Sequence, residues 1–164
     1  MDTSTFTHFF RAGYGEVLGF VAPGAIVLVP REVETEIDRA RERYTGVPTL
    51  DQVRWAKRTF LSDVEDWTAM QVKAELGGGT REHLGECSVI ACAHHRRLVA
   101  VLDDAAAVYQ AELRNVSWTN TMRIAAKIHT EVYGSEQAKT ITLVDALLDT
   151  DMRLPVTSGA QLFE

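Results

Sequence analysis

The residues of this chain whose types and spacing could do chemistry are carboxylates set beside apolar sequence. In LGECSVIACAHHRRLVAVLDD, residues 84–104, Glu86 stands ahead of a run of small and apolar residues, and LVAVL ends on Asp103 and Asp104. A carboxylate next to buried surface is costly unless something neutralises it, and a metal ion is one such partner. Asp2 opens MDTST, and Glu36 lies in REVETEID, three residues after Val33 and so near the buried face of a helix. Each acid also has an ordinary structural reading. Asp2 and the Asp103–Asp104 pair suit turns and helix caps, and Glu36 suits a solvated helix surface. Glu86 suits the first turn of a helix, where a carboxylate gains about 0.3–1 kcal/mol from the helix dipole.

Cations and aromatic residues offer a second set. His94, His95, Arg96 and Arg97 could contact phosphate, or could complement the dipole at a helix C-terminus. Arg39, Arg41 and Arg43 are expected at the surface. Trp67 and Trp118 could stack on an unpaired base, but a core placement is expected for these two and for Trp55.

The elements that must position these side chains alternate in type. AIVLVP (25–30), LVAVL (98–102) and a stretch around NVSWT read as strands, the first two as buried ones. TFTHFFRAGYGEVLGF reads as a helix broken around Gly13 and Gly15. REVETEIDRARERY, LDQVRWAKRTF, DVEDWTAMQVKAEL and HLGECSVIACAHH read as further helices, with Thr49 or Asp51 capping the second of these. A short Ala-rich helix follows Asp104, and two more cover roughly residues 122–133 and 140–148. Buried strands alternating with helices predict a parallel sheet flanked by helices, with ligands at the carboxyl ends of the strands. That rule makes the aspartates after LVAVL the first candidates.

Bulk properties narrow the class. The 164 residues are 46% hydrophobic and 24% charged, which predicts one domain, 1–164, with residues 134–164 forming a C-terminal helix and tail. A net charge of −6 argues against binding nucleic acid through a broad basic surface, yet it suits an acidic site whose charge divalent ions offset. No apolar stretch approaches the roughly 20 residues of a membrane span, so no membrane partner is expected. MDTSTFTHFF has no signal-peptide pattern. Cys87 and Cys92, five apart on one helix, do not share a face and read as small core residues of a cytoplasmic protein.

The order of these pieces resembles the PIN-domain nuclease family, which includes the toxin ribonucleases of toxin–antitoxin pairs. The likeness runs from MDTSTFTHFFRAG through IVLVPREVETEI to LGECSVIACA, LVAVLDDAAAV and NVSWTNTMRIAAK. Its most specific part is Gly-Glu before a small-residue helix, followed by an apolar strand ending in Asp-Asp. The resemblance implies a three-layer α/β/α domain with a central, mainly parallel sheet and an acidic site for one or two Mg²⁺ or Mn²⁺ ions. It implies Asp2, Glu36, Glu86 and Asp104 as catalytic acids. Asp2, Glu86, Asp104 and its neighbour Asp103 are the metal ligands it implies, and Asp103 and Asp104 are not distinguished. Thr119 and Asn120 fall where the family supplies a polar group, and His95, Arg96 and Arg97 are the phosphate contacts to look for. The implied function is a metal-dependent endoribonuclease, with RNA as substrate, an antitoxin protein as partner and a homodimer left open. A catalytically weak interaction module and a nuclease acting on DNA are the alternatives. Only Met1 precedes Asp2 where the family has several apolar residues. The first strand is therefore expected to be nearly absent and Asp2 poorly anchored.

Overall fold

The computed structural model describes residues 1–164. Helix α1 spans Thr3–Arg11 and α2 spans Val17–Val21. They separate at Gly13, whose φ of 81° is a left-handed conformation that carries no Cβ penalty in glycine. Strand β1, Val27–Pro30, runs directly into α3, Arg31–Arg43, which buries Val33 and Ile37 and leaves its charges outward. Helix α4, Asp63–Leu76, starts at a reciprocal Ser62–Glu65 capping box. Helix α5, Leu84–Arg96, buries Gly85 and Cys87 through Ala93, as expected of a helix apolar almost all round. Strand β3, Ala100–Val101, precedes α6, Ala105–Leu113, and strand β4, Trp118–Thr119, precedes α7, Thr121–Glu131. Helix α8, Gln137–Leu148, adds Leu143, Val144 and Leu147 to the hydrophobic core that begins at Met1 and Phe6.

One strand departs from expectation. The segment LDQVRWAKRTF is not a helix. A single 3-10 turn at Leu50–Gln52, capped by Thr49, leads to strand β2, Ala56–Thr59. This is an edge strand with Lys57 and Arg58 exposed, so it lacks the apolar alternation that marks a half-buried strand, and edge strands commonly carry such charges.

All pairing is parallel. β2 lies on β1, with Val27 opposite Ala56, and β4 lies on β3, with Ala100 opposite Trp118. The two pairs are separate two-stranded sheets. Between them runs Met1–Asp2, with the Met1 nitrogen donating to the Leu28 carbonyl at 3.3 Å and the Asp2 nitrogen to the Val101 carbonyl at 3.1 Å. Asp2 is therefore held from both sides rather than loosely anchored. Helix α5 packs against β1, β3, α3, α4 and α6, while α7 packs against α2 and α8. The α/β class with parallel strands and flanking helices is thus what the chain adopts. No helix is long and apolar enough to cross a membrane.

Of the three tryptophans, Trp55 is buried and stacks on Phe10 with ring centroids 6.1 Å apart, and Trp118 is partly buried against the core. Trp67 is not a core residue. It is 61% exposed on the outer face of α4, together with Val64 and Met70. Both cysteines are free and buried.

Candidate active site

Four helices begin around the carboxylates: α1 at Asp2, α5 at Glu86, α6 after Asp103 and α7 after Asn120. Their N-terminal ends favour negative charge. Asp2 caps α1, its Oδ1 accepting from the Thr5 nitrogen at 3.0 Å, while its Oδ2 accepts from the Asp103 nitrogen at 3.2 Å. The Asp103 carboxylate then accepts the Thr5 hydroxyl at 3.0 Å, the Thr121 hydroxyl at 2.7 Å and the Thr121 nitrogen at 2.9 Å. Asp2 and Asp103 so form one hydrogen-bonded unit at the carboxyl end of β3. Burial, reinforced by the neighbouring Asp103 charge, pushes the Asp2 carboxyl up to about 6.

Glu36 and Glu86 form the second pair. One Glu36 oxygen accepts the Thr3 hydroxyl, and the other accepts the Gly85 nitrogen at 3.0 Å. A Cβ at Gly85 would stand 2.6 Å from the Glu36 Oε2, so glycine is what lets the carboxylate close on the start of α5. Burial, with the nearby Glu86 charge adding to it, raises the Glu36 carboxyl above the usual range. Glu86 is partly exposed in the first turn of α5, with His83 Nδ1 3.9 Å from its Oε1. The first turn of α1 ties the pairs together, since Thr3 reaches Glu36 and Thr5 reaches Asp103.

Other candidates do not join this group. Asp104 is exposed and caps α6, its Oδ1 accepting from the Ala107 nitrogen at 2.8 Å, so Asp103 is the member of the pair that meets Asp2. Asn120 likewise caps α7 through the Arg123 nitrogen, and Thr119 lies in β4. The polar group brought to Asp103 is Thr121 instead. Arg96 is ten residues beyond Glu86, roughly 15 Å along the helix at 1.5 Å per residue. There it clamps Glu65, Nε to Oε1 at 2.6 Å and Nη2 to Oε2 at 2.8 Å, and it also donates to the Thr59 hydroxyl and the Phe60 carbonyl. His95 bonds the Thr68 hydroxyl at 2.8 Å, and Arg97 is the left-handed cap of α5. The phosphate contacts expected of these three residues are therefore remote from the acids.

Thr3, Thr5, Gly85 and Thr121 escaped the reading of the sequence. The signal was present in the repeated threonines of MDTST and TNT, but hydroxyls there read equally well as local caps.

The donor set is all hard oxygen, which suits Mg²⁺ or Mn²⁺, and no Lys or Arg side chain pairs with any of the four carboxylates. Burial and the neighbouring acid charges raise Asp2 and Glu36, and a bound cation would offset both. The donor chemistry fits a divalent ion, while the acids stand as two pairs; no three His, Cys, Asp or Glu side chains are drawn into one cage. Neither a curated protein nor a solved structure matches the chain. A family model described as a PIN domain matches residues 1–163. With Asp2 and Asp103 at the carboxyl end of β3 and that match over nearly its whole length, the chain belongs to the PIN-domain family, whose fold is nuclease-like and generally metal-dependent.

Proposed function

We propose that this chain is a metal-dependent endoribonuclease hydrolysing RNA phosphodiester bonds, with Asp2, Glu36, Glu86 and Asp103 as its acidic residues. The observation that carries the reading is the pair of carboxylate pairs, joined by Thr3 and Thr5 and paired with no Lys or Arg side chain. Asp2, Glu86 and Asp103 would hold Mg²⁺ or Mn²⁺. A bound ion of this kind supplies an activated water and stabilises charge on the scissile phosphate.

The chain's own groups do the positioning. Thr121 and Thr5 fix the rotamer of Asp103, and the Asp103 nitrogen fixes that of Asp2. Glu36 is steered by the Gly85 nitrogen and the Thr3 hydroxyl. Burial raises its carboxyl above the usual range, the direction that makes a carboxylate a stronger base toward an attacking water. Within this reading the protein is the toxin of a toxin–antitoxin pair. The exposed apolar stripe Phe60, Val64, Trp67 and Met70 gives an antitoxin something to cover.

A second reading, an interaction module of weak activity, is favoured by the division of the acids into two pairs. The test is cleavage of a mixed RNA pool and matched DNA with Mn²⁺, comparing wild type with Glu86→Gln. RNA cleavage by wild type alone supports the proposal. Preferential DNA cleavage shifts the substrate class, and silence from folded wild type supports the module.

A further inference from the structure

Of the five histidines, four have a ring nitrogen engaged elsewhere in the fold. His8 bonds the Thr150 hydroxyl, His95 the Thr68 hydroxyl, His94 the Arg114 carbonyl and His129 the Thr140 hydroxyl. His83 is the exception. Its ring makes no hydrogen bond, and its Nδ1 faces the Glu86 carboxylate across 3.9 Å. That gap is too long for a hydrogen bond. It lies within the roughly 4.2 Å that two metal–ligand bonds of about 2.1 Å can span. Glu86 is equally unengaged, since Lys73, near the end of α4, donates to the Gly77 and Gly79 carbonyls instead. Gly85, between His83 and Glu86 in sequence, donates its nitrogen to Glu36, so the pair adjoins a further carboxylate.

The backbone supplies a second observation. His83 immediately precedes α5 in the left-handed conformation, φ 61° and ψ 13°, yet its side chain does not cap the helix. Where φ is positive a few residues earlier, at 77 and 78, the chain uses glycine. A side chain in this region carries a cost that glycine avoids. The conformation sets the His83 ring opposite Glu86, three residues on. A histidine and a glutamate three apart can share one ion, as they do in metal sites built inside helix bundles.

We propose that His83 Nδ1 is a nitrogen ligand to the divalent ion held by Glu86, and that it biases the site toward Mn²⁺ and later first-row ions over Mg²⁺. The inference rests on Glu86 being a metal ligand, as in the proposed function. Imidazole affinity rises from Mn²⁺ through the later first-row ions to Cu²⁺, whereas Mg²⁺ keeps its waters and prefers oxygen. Two side chains on the ion leave its other positions to water and phosphate oxygen, in keeping with acids that form no three-residue cage.

The test is spin-echo EPR of Mn²⁺ bound to the full chain, which detects nitrogen on the ion. Wild type is expected to show ¹⁴N coupling that becomes ¹⁵N coupling when its histidines are ¹⁵N-labelled, and His83→Gly to show none. Glycine suits this backbone best, so His83→Gly should keep the wild-type Tm in chelator. Its Kd for Mn²⁺ should weaken at least about tenfold and its Kd for Mg²⁺ by less than about threefold. Nitrogen coupling that persists in His83→Gly, or equal weakening for the two ions, would overturn the proposal. Mn²⁺ binding that is lost in Glu86→Gln but shows no nitrogen coupling in wild type would overturn the His83 ligand and leave the acidic site standing. A wild type that binds no Mn²⁺ would overturn both.

Discussion

The two ends of α5 hold buried or half-buried carboxylates in opposite ways. At its C-terminal end Glu65 is 4% exposed in its side chain, and the Arg96 guanidinium clamps it, holding its carboxyl down to about 2. At its N-terminal end Asp2 and Glu36 sit among hydroxyls, main-chain N–H groups and other acids, and their carboxyls are pushed up. The comparison separates structure from chemistry. An acid with its own guanidinium is a strut, whereas acids crowded together without a Lys or Arg partner are arranged to attract a cation from outside, as the proposed function requires.

The largest effect that would break this contrast is on cleavage. Glu86→Gln keeps size and removes charge at a residue with no hydrogen bond to lose, so stability should change by less than ~0.5 kcal/mol. RNA cleavage should fall at least about a hundredfold, several kcal/mol being what a metal site supplies. Single-turnover kinetics with Mn²⁺ checks it. Arg96→Ala should do the reverse. Stranding Glu65 should cost about 3 kcal/mol in urea unfolding, the lower end for a broken buried pair because the Arg96 side chain is 30% exposed. Cleavage per folded molecule should be retained.

The pH dependence should also differ in sign. Asp2 binds its proton more tightly folded than unfolded, so its contribution to stability falls as pH rises from about 4 to about 6. Asp2→Asn can still cap α1 through its oxygen but turns its amide NH2 toward the Asp103 nitrogen, so it should be the less stable protein near pH 3. Relative to wild type in chelator it should then gain on the order of 2–3 kcal/mol between pH 3 and pH 7. Glu65 behaves oppositely, its stabilisation being complete above about pH 4.5 and lost as pH falls toward 2. Urea titrations at the two pH values test both signs. The smallest effect is at Asp104. Asp104→Ala should remove the α6 cap for about 1 kcal/mol and leave cleavage unchanged.

Much of the acidic end was legible in the sequence. LGECSVIACA announces a buried helix with an acid in its first turn, and LVAVL a strand ending in acid, because α5 and Ala100–Leu102 are buried on all sides, although Leu98 and Val99 are exposed. Asp103 and Asp104 could not be told apart, since adjacent residues leave a strand in different directions and only the threonine partners of Asp103 decide. The clamp was not legible at all. Arg96 and Glu65 lie 31 residues apart, and each looks like ordinary surface charge at a helix end. Strand β2 was misread as helix because its pairing with β1, not its own pattern, makes it extended.

The most direct test is the thermal shift given by millimolar Mn²⁺ at pH 7 in wild type, Glu86→Gln and Arg96→Ala. An ion bound only by the folded state raises Tm. The acidic-end account predicts a rise in wild type, a matching rise in Arg96→Ala from its lower starting point, and little or none in Glu86→Gln. No rise in wild type, or an equal rise in Glu86→Gln, would contradict it.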